Sequence, residues 1–201
     1  QGTMLDVDHG TYPFVTSSSA TSGGSCIGSG VAPTNIDKVI GVVKAYTTRV
    51  GEGPFPTEFS PGFSDFIRNK GREFGATTGR PRRCGWFDSV LVRRAVLLNG
   101  ITEFALTKMD ILDGLKSLQI ATAYKYKGKL FREFPSDYEI LASARPVYKE
   151  VRGWSNPTTD ISRYKDLPVN AKRYISILED MLKTKISIVS VGSSRDDTIF
   201  L

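Results

Sequence analysis

Apolar residues at Ile36, Val39, Ile40, Val43 and Tyr46 fall at helical spacing, and Thr34 or Asn35 stands ready to cap them. The pattern predicts a helix from there to about Thr48. The run Val50-Gly51-Glu52-Gly53-Pro54-Phe55-Pro56 cannot continue it. A polar stretch follows to Phe74, then an arginine-rich loop. Asp88 suits the N-cap of a second helix over Ser89–Leu98, and Asn99-Gly100 supplies a stop signal. Glu103–Thr107 reads as a short buried strand running into Lys108-Met109-Asp110. Leu118–Tyr126 and Lys129–Phe134 pattern as a hairpin turning at Lys127-Gly128. Residues 135–167 are mixed and loop-rich. Pro168 fits the first turn of a helix whose one face carries Ala171, Tyr174, Ile175, Leu178 and Leu182. Ile186–Val191 is a β-branched strand closed by Gly192-Ser193-Ser194, and Thr198–Leu201 is a last short strand. Helices alternating with short apolar strands give an α/β class with a partly parallel sheet and flanking helices, plus the hairpin and a loop-rich satellite.

The opening residues break this alternation. Ser17–Gly30 reads SSSATSGGSCIGSG, a composition shared by linkers and by loops whose backbone approaches a ligand closely. The first residue is Gln, with no Met or signal-like segment before it, so the expectation is a piece of a longer chain. At 201 residues there is room for one large domain or a domain with a small satellite.

Composition narrows the classes. Hydrophobic residues make up 40% and charged residues 24%, an ordinary globular balance. No apolar run reaches the ~20 residues of a membrane span. Two cysteines, Cys26 and Cys84, and one histidine, His9, make neither a disulfide framework nor a zinc site. Free thiols suit a reducing cytoplasm. The net charge of +6 fits nucleic acid, an anionic surface, or a pocket for phosphates and carboxylates. Clustering of Arg80, Arg82 and Arg83 favours a focused anion site over a nucleic-acid track.

Chemistry concentrates at three places. Guanine offers two parallel donors, N1–H and its exocyclic amino group, and one carboxylate can accept both. Asp110, at the end of a strand, is placed for that task, and the stem of Lys108 can lie along the base. The same Lys-x-Asp triplet also fits a pair of solvated charges. Ser190-Val191-Gly192 ends another strand; its backbone amides could meet a base carbonyl, and it equally reads as an ordinary turn. Ala76-Thr77-Thr78-Gly79-Arg80-Pro81-Arg82-Arg83 combines guanidinium forks with hydroxyls and loop amides, suited to carboxylate or phosphate. A solvated basic loop is the alternative. His9, among Asp6 and Asp8, reads as a structural hydrogen-bond node. No Gly-rich loop followed by Lys opens a helix, so no triphosphate cradle is visible; Gly51-Glu52-Gly53-Pro54 lacks the Lys.

Taken together the segments resemble adenylosuccinate synthetase. The resemblance runs in order through Gln1–Ser18 (QGTMLDVDHGTYPFVTSS), Gly28–Gly30, Lys44–Glu58 (KAYTTRVGEGPFPTE), Glu73–Trp86 (EFGATTGRPRRCGW), Leu106–Gly114 (LTKMDILDG) and Ser190–Gly192. It implies the C-terminal portion of a single domain over 1–201, half of a P-loop-NTPase-like nucleotide-binding fold with the phosphate-loop portion absent. It further implies a GTP-dependent ligase of purine and AMP biosynthesis that joins IMP to L-aspartate. Carried over by residue, Gln1, Thr16, Val50 and Arg80 match IMP contacts. Ala76, Thr77, Thr78, Gly79, Arg80 and Arg82 match a mobile aspartate-capturing loop. Arg82, Lys108, Met109, Asp110, Ser190, Val191 and Gly192 match GTP contacts. The same role makes the Gly/Ser-rich opening an ordered, ligand-facing loop. The family's catalytic Asp and His and its Mg2+ site belong to the portion not represented, so catalytic and metal residues are expected to be none here. The implied partners are GTP, IMP, L-aspartate and a second subunit of a homodimer, with no nucleic acid and no membrane.

Overall fold

The computed structural model describes residues 2–77 and 79–201. In chain order the regular elements are α1 (Ser22–Ser29), β1 (Ile40–Lys44), β2 (Thr47–Arg49), α2 (Pro61–Gly71), β3 (Arg83–Gly85), β4 (Phe87–Asp88), α3 (Ser89–Asn99) and β5 (Glu103–Thr107). They continue with β6 (Ser117–Tyr126), β7 (Lys129–Phe131), α4 (Tyr138–Ser143), β8 (Arg145–Arg152), α5 (Val169–Leu182), β9 (Lys185–Ser190) and β10 (Thr198–Phe200). Short 3-10 turns join several of them.

The principal sheet has the order β1-β5-β9-β10. Its first three strands are parallel, with Leu106 opposite both Val43 and Val189, and β10 returns antiparallel to β9. Three strands therefore end at one edge, at Lys44, Thr107 and Ser190. A second sheet is built on β6, which pairs with β7 and β8 in antiparallel and with β4 in parallel. A two-stranded ribbon, β2 with β3, lies beside the arginine-rich loop.

α5 forms as its pattern predicts: Ala171, Tyr174, Ile175, Leu178 and Leu182 are buried on one face, each large aliphatic contributing roughly 1.5–3 kcal/mol on burial. α3 begins where Asp88 accepts from the amides of Val90 and Leu91, and ends at Gly100 in a left-handed conformation. β5 also sits where the pattern puts it, and so does the hairpin, except that its second strand stops at Phe131 rather than Phe134.

Two expectations are corrected. Residues 34–48 form no α-helix: a 3-10 turn at Pro33–Asn35 precedes β1. Val39, Ile40, Val42 and Val43 are β-branched and stiff in a helix. The glycine among them is fixed by packing, since a Cβ on Gly41 would lie 2.6 Å from the Phe104 ring. The Gly/Ser-rich opening is irregular only as far as Thr21, because Ser22–Ser29 forms α1. Asn99, at the end of α3, anchors it by accepting from Ser22 N at 2.8 Å, while Ser22 Oγ donates to Asn99 O at 2.9 Å. Two further elements lie in stretches without a strong pattern. α2 starts with Pro61 at its first turn and buries Ile67. β8 alternates from Arg145 to Lys149 and breaks at Glu150, and its register against β6 shifts between Ala121 and Ala123. No helix among the described residues is long and apolar enough to cross a membrane.

Candidate functional site

The site is assembled at the C-terminal edge of the parallel strands, where open α/β sheets present loops to ligands. Lys108 turns the chain out of β5 with a left-handed φ of 61°, into the 3-10 turn Met109–Leu112. Met109, Ile111 and Leu112 are buried and anchor that turn. Asp113 fastens its far end by accepting from Trp154 Nε1 (2.5 Å) and Thr158 N (2.7 Å). Asp110 is left half-buried, and its carboxylate makes no hydrogen bond to another side chain among the described residues. Burial, with Asp113 nearby, pushes its carboxyl above the usual range. An acceptor pair held without a side-chain partner in a partly dry setting suits a ligand with two donors.

The Ser190–Gly192 loop lies alongside, because β9 is the next strand to β5 and the Met109–Leu112 turn packs against it. Val191 is buried and donates to Asp197 O at 3.0 Å. Ser190 Oγ donates to Gly192 O at 2.9 Å. A Cβ on Gly192 would sit 2.2 Å from Asp197 Oδ2, which is itself held by Ser194 N at 2.7 Å. That position has room for glycine only. The sheet thus brings Lys108, Met109 and Asp110 beside Ser190, Val191 and Gly192.

The arginine-rich loop is a closed turn beside the same edge. Gly75 N donates to Arg80 O (2.8 Å), Gly79 N to Gly75 O (2.9 Å) and Arg82 N to Glu73 O (2.9 Å). Ala76, Thr77, Gly79 and Arg80 are exposed, whereas Arg82 is half-buried at the base. Gly79 takes a φ of 64°, which a side chain would strain. Thr78 and Gln1 lie outside the described residues.

Glu73, to which pattern and composition gave no role, holds these parts together. It is fully buried. One oxygen accepts from Lys44 Nζ at 2.7 Å and Arg82 Nη1 at 2.8 Å; the other accepts from Tyr46 OH at 2.5 Å and meets Lys108 Nζ at 3.1 Å. Burial pushes this carboxyl up, and the bonds from Lys44, Tyr46 and Arg82 outweigh it, holding it down at about 2. Lys44 nonetheless lies below an ordinary lysine, pushed down first by burial and further by Lys108 and Arg82, against the pull of Glu73. With three cations around one carboxylate, the Glu73 cluster itself keeps a surplus of positive charge.

Thr16 and Val50 face a cavity of about 380 Å³ with Leu5, Phe14 and Glu52. Val50 and Leu5 also line a neighbouring cavity of about 340 Å³ that includes Lys44, Arg82 and Thr107. One strip therefore connects the expected IMP positions with the base of the arginine loop. Arg49, a second buried residue without an assigned role, frames it: Nε donates to Glu52 O at 2.8 Å, and Nη2 donates to Thr11 Oγ1 at 3.0 Å and Phe14 O at 3.3 Å. The signal for Arg49 and Glu73 lay only in the quoted motifs, because nothing about a charged residue in a polar run announces burial. The hydrogen-bond node expected at His9 belongs to Asp6, which accepts from the amides of Asp8, His9 and Ala20. The His9 side chain is exposed.

Among the described residues no three His, Cys, Asp or Glu side chains converge as a metal cage. Glu73, the carboxylate at the centre of this edge, is already taken by three cations, which does not fit Mg2+.

Comparisons with known proteins agree with one another. The chain is 53% identical over 201 residues to the adenylosuccinate synthetase of Desulforamulus reducens, covering 100% of this chain and 47% of that protein. It is 55% identical over 199 residues to that of Thermodesulfovibrio yellowstonii, covering 99% and 47%. The chain thus spans about half the length of the curated relatives it matches. The solved structure of fully ligated adenylosuccinate synthetase from Plasmodium falciparum superposes with a TM-score of 0.95 at 41% identity, over 99% of this chain and 48% of that one. The succinoaminodeoxyadenylate synthetase of cyanophage S-2L shares the fold, with a TM-score of 0.56 at 18% identity over 100% of this chain and 44% of that one. A family profile described as adenylosuccinate synthetase matches residues 1–199, and with the strand-end loops and arginine turn in place the chain belongs to the adenylosuccinate synthetase family.

Proposed function

We propose that this chain supplies the guanine, IMP and aspartate contacts of a GTP-dependent ligase that joins IMP to L-aspartate in AMP biosynthesis. The observation that carries the reading is the adjacency of the Lys108–Asp110 and Ser190–Gly192 loops on parallel neighbours β5 and β9, with Arg82 at the same edge. Asp110 accepts the two donors of guanine, Lys108 lies along the base, and the backbone of Ser190, Val191 and Gly192 meets the base carbonyl. Met109 anchors the reading turn. The loop Ala76–Arg82 folds over the carboxylates of aspartate, its guanidinium forks pairing with them. Thr16 and Val50 receive the phosphate and ribose of IMP, Gln1 lies near the reacting part of IMP, and Arg80 reaches the ribose. In the reaction, the γ-phosphoryl of GTP passes to O6 of IMP. The aspartate amino group then forms a bond to C6, and phosphate leaves with that oxygen. This chain's part is to bind and orient.

The reading carries GTP as co-substrate, Mg2+ held by residues outside this chain, a homodimer and a cytoplasmic setting. Electrostatic surplus in the Glu73 cluster supports anionic substrates. It is tested in a full-length enzyme carrying this sequence with Arg80→Leu. Loss of a charge-assisted fork costs roughly 1.5–3 kcal/mol, so KM for aspartate rises about tenfold or more, with KM for IMP rising as well. Normal saturation by both substrates overturns the loop assignment.

A further inference from the structure

Three hydrogen-bond donors and one further ammonium gather on the Glu73 carboxylate, from three separate segments: Lys44 and Tyr46 at the end of β1, Arg82 at the base of the arginine turn, and Lys108, as an ion pair, at the end of β5. The main chain doubles the link on one side. Arg82 N donates to Glu73 O, and Arg68 Nε donates to Arg82 O at 2.8 Å. Three of a carboxylate's about four lone-pair sites are taken by hydrogen bonds, and Lys108 stands at the same group as an ion pair at 3.1 Å, so the cations compete for one charge. Lys108 also donates to Gly71 O at 2.5 Å, which gives its ammonium a second anchor on the segment that leads into Glu73.

We propose that Glu73 is a positioning residue that couples the arginine turn to the Lys108–Asp110 turn, so that filling one side tightens binding on the other. An anionic ligand that draws the Arg82 guanidinium toward itself leaves the carboxylate to Lys44 and Lys108. Lys108 is then held more firmly in the orientation its stem needs beneath a base. Linkage makes the effect reciprocal. The coupling rests on the functional reading above, in which Arg82 meets aspartate and Lys108 meets guanine. Glu73 itself is fully buried, so it acts through these cations rather than on either ligand.

The test measures GDP affinity by calorimetry in a full-length enzyme carrying this sequence, with and without saturating IMP and aspartate; GDP has no γ-phosphoryl, so nothing turns over. Wild type is expected to bind GDP about fivefold or more tighter when the other substrates are present. Glu73→Gln brings that ratio close to one. Tyr46→Phe removes a neutral donor, leaves the three cations, and keeps the ratio. Where Glu73→Gln does not fold, as judged by circular dichroism, Lys44→Met serves instead: with one competing cation gone, the ratio rises. A wild-type ratio of one, a ratio unchanged in folded Glu73→Gln, or a ratio that does not rise in Lys44→Met overturns the coupling. The two readings fail separately. If Asp110→Ala leaves GDP affinity intact, the guanine assignment is wrong; if it weakens GDP while coupling survives Glu73→Gln, only the role of Glu73 is wrong.

Discussion

Replacing Asp110 with alanine in a full-length enzyme carrying this sequence deletes two acceptors at once. The carboxylate makes no hydrogen bond to another side chain among the described residues, only one to its own amide, so the truncation strands no side-chain donor within the fold. Its cost falls on the ligand. Hydrogen bonds to a charged group contribute about 1.5–3 kcal/mol each, and for a half-buried carboxylate the lower figure applies, giving about 3 kcal/mol for the pair. That corresponds to a loss in GTP affinity on the order of a hundredfold. Asp110→Asn sharpens the test. Its side chain keeps one acceptor and replaces the other with a donor, which mismatches guanine and matches xanthine, whose N1–H sits beside a carbonyl. Affinity for GTP should fall while affinity for XTP rises, so the ratio of the two inverts. Because burial and Asp113 raise the Asp110 carboxyl, wild-type GTP binding should also weaken on acidification before an ordinary carboxylate would protonate. Calorimetric titration with GTP and XTP at neutral and mildly acidic pH reads all three. GTP affinity within about twofold of wild type in Asp110→Ala, or no gain for XTP in Asp110→Asn, refutes the assignment.

Gly192→Ala drives a methyl against the braced Asp197 carboxylate and should cost about 1–3 kcal/mol in urea unfolding, with Asp197→Ala added as relief; an unchanged midpoint contradicts the packing. Asp88 is fully buried and burial raises its carboxyl to about 6, so the folded chain holds a proton there that the unfolded chain releases from about pH 4 upward. Stability from this group falls as pH rises from about 4 to 6, by on the order of 3 kcal/mol. Asp88→Asn keeps the helix cap and removes the titration, so its stability relative to wild type should grow over that window; a constant difference shows that Asp88 does not titrate there. The 201 residues alone should form no adenylosuccinate, since no Gly-rich loop with a Lys opens a helix in them; product from this chain by chromatography would place the missing chemistry within it.

Local signals carried much of the fold. The Asp88 cap and Gly100 stop fixed α3, and the one-sided stripe from Ala171 to Leu182 fixed α5. Each is set within a turn or two of helix, so the chain itself specifies it. The same holds for β5 and β9, whose short β-branched or apolar runs end in turn residues. Those endings made the Asp110 and Gly192 loops legible as candidates.

What the sequence could not settle depended on partners distant along the chain. Val39–Val43 carries both a helical spacing and a β-branched run, and the parallel neighbour β5 with the Phe104 ring against Gly41 decided for strand. α1 exists because Asn99 holds Ser22. Glu73 lies in a polar stretch with nothing local to mark it. Only tertiary folding gathers Lys44, Tyr46, Arg82 and Lys108 around it, turning a surface-like glutamate into a buried counter-ion. Periodicity reports which face a residue takes within its own element; charge pairing across elements depends on how strands are ordered, and that order is set by the packing of the whole sheet.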